Sequence, residues 1–114
     1  MLFRSIQYFE SARIELLEEA GIGLPALQEA GYHLVVTELA TKFLRSAEMG
    51  DRLTVETEVV EIRRASSRWR QRMYRGEGLI ASQEITAATT TVDGRPSRFP
   101  EDLVARLEPY RAEV

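Results

Sequence analysis

The sequence predicts an α+β domain: one long amphipathic helix, then a four-stranded antiparallel sheet, then a short helical tail. Three observations carry this. Apolar residues recur at three- and four-residue steps over the first twenty or so positions, the period of a helix with one buried face. From Tyr32 onward the pattern becomes that of strands and stays so through four long segments with short connections. A single apolar-faced helix ahead of such a sheet must pack on it, because neither element can bury its face alone.

The elements come in this order. Ile6, Phe9, Arg13, Leu16, Leu17 and Ala20 mark the helix face, whereas Glu10, Glu15, Glu18 and Glu19 fall mostly elsewhere. Gly21 suits the left-handed residue that ends a helix. LPALQEAG, residues 24–31, reads as one or two further turns closed by Gly31. YHLVVTELATKFLR, residues 32–45, is rich in β-branched and aromatic residues and has no breaker, so it reads as a long strand. SAEMGD is a turn.

In RLTVETEVVEI, residues 52–62, Leu53, Val55, Thr57 and Val59 share one face. Val60 and Ile62 break that alternation, which predicts a bulge near the end of the strand. RRASS leads to RWRQRMYR, residues 68–75, where Trp69, Gln71 and Met73 alternate with Arg68, Arg70, Arg72 and Tyr74. GEG is a tight turn before the last strand, LIASQEITAATTTV, residues 79–92. DGRPSRFP is an irregular exit, and EDLVARLEPYR is a terminal helix interrupted by Pro109. Short links between successive strands favour a meander in which each strand pairs with the next.

Composition narrows the function. At 114 residues the chain is one domain with one core. A net charge of −3 gives no global field to attract nucleic acid, so any basic site must be local. The chain has no cysteine, which excludes disulfides, thiolate metal sites and a cysteine nucleophile. His33, the single histidine, leaves too few ligands for a zinc site of the usual kinds. No apolar run approaches the roughly 20 residues that span a bilayer. The first residues lack the apolar stretch of a signal peptide, which makes the cytoplasm the default location.

Three stretches carry a resemblance: QYFESARIELLEEAGI, then GYHLVVTELATKFLRSAEMGDRLTVETEVVEIRRAS, then DGRPSRFPEDL. In their order and spacing they resemble the hotdog-fold acyl-CoA thioesterases of the 4-hydroxybenzoyl-CoA thioesterase type. The most recognisable parts are Tyr8-Phe9-Glu10-x-Ala12-Arg13 and Ala47-x-x-Gly50-Asp51-x-Leu53. The likeness implies a single domain over residues 6–107, with residues 108–114 as a tail. It implies a curved sheet wrapped around a central helix, and a homodimer or homotetramer with active sites between subunits. It also implies hydrolysis of an acyl-CoA or aroyl-CoA thioester without a cofactor, metal, nucleic acid or membrane. The alternative is a non-catalytic hotdog module that binds acyl-CoA or serves assembly.

In that family an aspartate in a segment like D-x-x-G-H-V-x-N, on a first strand just before the helix motif, is nucleophile or base. Backbone N–H groups at the start of the helix polarise the thioester carbonyl. That segment would precede Ile6, so the first strand and its acid are expected to be missing here. Residues 1–5 are expected to be non-native, since LFRS is what CTC TTC CGA TCT, a common sequencing-adapter end, encodes. A misplaced start codon and a natural loss of the segment are the alternatives.

The resemblance also places a coenzyme A phosphate site at Arg63 and Arg64, with Ser66 adding a hydroxyl. Arginine suits phosphate because its planar fork pairs with two oxygens. Ala65 departs from relatives that carry a third basic residue there, and a solvated turn is the other reading. Glu10 is the carboxylate nearest the start of the helix and a candidate catalytic acid. Its structural role would be a pair with Arg13. Glu38 and Thr41 are candidates for lining an acyl pocket. His33 reads as a surface or strand-end residue, Trp69 as packing, and Arg68, Arg70 and Arg72 as an outward, edge-protecting row.

Overall fold

The computed structural model describes residues 2–45 and 50–112, with side chains from residue 7 onward. Helix α1 spans Leu2–Glu19 and helix α2 Leu24–Glu29. Strands β1, Tyr32–Phe43, β2, Leu53–Ile62, β3, Ser66–Arg75, and β4, Gly78–Thr91, come next. Helix α3, Glu101–Leu107, and a 3-10 turn over Glu108–Tyr110 close the chain, the turn carrying Pro109.

The periodicity of α1 appears as burial. Phe9, Leu16 and Leu17 are in the core, and Glu10, Glu15, Glu18 and Glu19 are exposed. The helix begins at Leu2, so residues 2–5 belong to the same helix as the periodic residues after them. Gly21 ends it at φ +82°, and a Cβ there would stand 2.5 Å from Nη1 of Arg106. The left-handed backbone favours glycine at this point, whereas the tip of the Arg106 side chain could move aside.

The sheet is antiparallel throughout, in the order β1-β4-β3-β2. The meander holds for β2, β3 and β4, but the expected pairing of β1 with β2 does not occur. These two strands form opposite edges, and β1 pairs with β4 from Tyr32↔Thr91 to Phe43↔Ala81. Length permits the crossing: residues 44–52 reach roughly 30 Å when extended, against roughly 14 Å across three strand spacings. Residues 46–49 of this connection, with Ala47 of the turn motif, lie outside the described residues.

The predicted bulge in β2 is present as a register shift between Val59 and Glu61. Two further shifts were not legible: between Val36 and Glu38 in β1, and between Met73 and Tyr74 in β3. The face towards α1 buries Val59, Trp69, Gln71, Met73, Gln83 and Ile85. Two apolar clusters lie on it. The larger gathers Leu16, Leu17, Trp69, Ile85, Leu103 and Leu107 with their neighbours, and the smaller gathers Phe9, Met73, Ile80 and Ala81. The tail reaches the β2 edge, where the Ala112 N–H donates to the Val59 carbonyl at 2.8 Å.

Candidate active site

A row of four polar residues crosses the buried face of the sheet, one from each strand. Thr57 lies opposite Gln71, Gln71 opposite Gln83, and Gln83 opposite Thr41. Both glutamines are almost wholly buried, so their amides need partners. Arg13 descends from α1 and supplies them: its Nη1 donates to Oε1 of Gln71 at 2.9 Å and to Oε1 of Gln83 at 2.6 Å. The amide nitrogens turn the other way. Nε2 of Gln71 donates to the Phe9 carbonyl at 2.8 Å and to Thr57 at 3.0 Å, and Nε2 of Gln83 donates to Thr41 at 2.9 Å.

Arg13 therefore sits on the apolar stripe of α1 because the sheet below it is polar at that level. Burial holds its guanidinium below the ordinary arginine value, and the negative charge of Glu10 opposes that shift. The expected Glu10–Arg13 pair is corrected here. Among the described residues no ion pair within 4.0 Å joins them, and the hydrogen bonds of Arg13 go to the glutamines. An arginine over two inward amides is better placed to satisfy them than to reach a carboxylate in water.

Beside this row lies a cavity of about 150 Å³ between α1, α2, β1 and the sheet. Leu17, Leu24, Leu34, Val36, Trp69 and Ile85 make its wall mostly apolar, with Glu10 and Arg13 also on it. Glu10 itself is exposed and is the one carboxylate among the described lining residues. Trp69 is 3% exposed and donates its indole N–H to Oγ of Ser67 at 2.8 Å, which fixes the ring in the wall. Packing, the expected role of Trp69, is thus joined by a place on the cavity.

The remaining candidates lie elsewhere. Arg63 is exposed and pairs with Glu61 at 2.5 Å, and its hydrogen bond draws the Glu61 carboxyl below the usual carboxylate range. Arg64 is exposed, its backbone carbonyl accepts from the Phe99 N–H at 2.9 Å, and Ser66 begins β3. Arg68, Arg70 and Arg72 point to the opposite face from Trp69, where they pair with Glu61 and Glu58. His33 is exposed near the start of β1. Glu38 is exposed and opposite Thr86, so it does not share the inward face of Thr41. Among the described residues no three His, Asp or Glu side chains gather as a metal site requires, and no helix is long and apolar enough to cross a membrane.

Sequence reasoning missed Gln71 and Gln83 as a site. The signal was their place in the buried phase of two strands that pair, matched by an arginine in the buried phase of the helix.

The fold has known counterparts. The family model described as the thioesterase-like superfamily matches residues 4–107. The acyl-CoA thioesterase YbgC of Haemophilus influenzae is 30% identical over 104 residues, which are 90% of this chain and 76% of that protein. A probable thioesterase from Bartonella henselae superposes with a TM-score of 0.82 at 25% identity, over 88% of this chain and 84% of that one. A protein from Aquifex aeolicus superposes at 0.89 with 17% identity, over 95% and 85% of the two chains, a likeness of fold alone. The curved antiparallel sheet on a central helix is the hotdog fold of these structures. The chain belongs to the thioesterase-like superfamily.

Proposed function

We propose that this chain binds an acyl-CoA or aroyl-CoA and hydrolyses its thioester, with the acyl group in the cavity beside Arg13. The observation that carries this is an apolar cavity where the helix meets the sheet, with Glu10 the single carboxylate among its described lining residues. Glu10 takes the role of base towards a water. Arg63, Arg64 and Ser66 take the phosphates of coenzyme A. Arg64 enters none of the ion pairs among the described residues, whereas Arg63 exchanges Glu61 for phosphate. YbgC, an acyl-CoA thioesterase by name, supports the reaction class.

Glu10→Gln should lower kcat on a panel of acyl- and aroyl-CoA esters by at least about 10²-fold. Equal turnover by the variant would sink the role of Glu10. Binding of acyl-CoA with no turnover in either form would favour the second reading, an acyl-CoA-binding module.

The reading extends to a homodimer, or a homotetramer built of two such dimers. β1 is an edge of the described sheet, and Val35 on its outer face and Val36 and Leu39 on its inner face are 44%, 45% and 49% exposed, so a second copy pairing along this edge covers residues of both faces. Leu39→Glu should convert an oligomer to a monomer in sedimentation velocity. An unchanged sedimentation coefficient would rule this edge out.

A further inference from the structure

The polar row divides what lies on the sheet. Leu34, Val36, Trp69, Ile85 and Ala87 line the cavity on one side of it. The cluster of Phe9, Met73, Ile80 and Ala81 lies on the other, since Met73 and Ala81 are paired two residues beyond Gln71 and Gln83. Among the described residues, Arg13 alone both hydrogen-bonds the row and lines the cavity. A chain growing from the cavity towards the second cluster would have to lift the guanidinium from two buried amide oxygens. Charge-assisted hydrogen bonds of this kind are about twice as strong as neutral ones, and methylenes offer nothing to replace them.

We propose that Arg13, pinned by Gln71 and Gln83, is the end wall of the acyl cavity and sets the longest acyl group that binds. This rests on the reading that the cavity takes the acyl group. The cavity is open on one side, so a chain runs along its apolar wall and stops where it meets Arg13. Ala87 is the specificity residue at the other end, a small side chain buried on β4 where a larger one would fill the space.

The test uses S-alkyl-CoA thioethers, which cannot be hydrolysed, in isothermal titration from S-ethyl to S-dodecyl, with free CoA as reference. Affinity should climb about fourfold per methylene and stop climbing at the length that reaches Arg13. Ala87→Leu should move the break to chains about three carbons shorter, and Arg13→Ala to longer ones. Circular dichroism checks that Arg13→Ala is folded, and Ala87→Leu decides the matter if it is not. A climb without a break to dodecyl, or a break that Ala87→Leu leaves in place, overturns the wall. Thioethers binding no better than CoA overturn it while sparing the CoA site, whereas no CoA binding at all overturns the acyl-CoA reading with it.

Discussion

Arg13→Met should lower the unfolding free energy by about 2–4 kcal/mol, read as an earlier midpoint in urea. The substitution keeps most of the side-chain volume but removes the donors for Oε1 of Gln71 and Gln83, both 1% exposed as residues. A buried acceptor left unpaired costs roughly 1–3 kcal/mol, whereas replacing all partners by apolar groups is close to neutral. The triple variant Arg13→Met, Gln71→Leu, Gln83→Leu should therefore recover at least half the loss. A single variant as stable as the parent would mean that the glutamines find other donors, and the row would lose its claim to organise the fold. The desolvation that depresses the Arg13 value acts only near the alkaline end of its titration, so both results should hold across neutral pH.

Trp69→Ala should cost more, about 3–5 kcal/mol, the range for emptying a large aromatic site. The indole lies between the larger apolar cluster and the cavity, so the neighbours that could collapse into the gap are few on one side. Trp69→Phe should retain most of the stability, losing the hydrogen bond to Ser67 and part of the contact area. Thermal denaturation followed by circular dichroism measures both. A Trp69→Ala variant melting with the parent would mean that the ring rests on the surface of the core.

Much of this architecture was legible because each element declares its period. Val60 announced its bulge by breaking an alternation that Leu53 to Val59 had established. The bulge in β1 gave no such notice, since VVTEL reads as continuous strand in either phase. Sheet order was hidden for a different reason: a link of the length of residues 44–52 serves a hairpin or a crossing equally well. At the site, Arg13, Gln71 and Gln83 each stood in a buried phase, but that they meet depends on the registers of three strands. The cavity was beyond reach because its lining comes from α1, α2, β1, β3 and β4, a matter of spacing between elements and not of any one segment. Arg63 and Arg64 were visible only through resemblance.

The register shift in β1 also has a meaning in parity. Before it the inward residues carry even numbers, Leu34 and Val36, opposite Thr89 and Ala87; after it they carry odd ones, Leu39 and Thr41, opposite Ile85 and Gln83. Thr37 is the residue between the two countings, and its hydroxyl donates to the Thr86 carbonyl at 3.2 Å. Were it to pair as an ordinary residue, Glu38 and Lys42 would turn inward and Leu39 and Thr41 outward. The strand thus has one residue to spare, and it is Thr37. A deletion there keeps every later side chain on its present side, whereas the same deletion a few positions on would exchange the two faces of the strand beyond the cut.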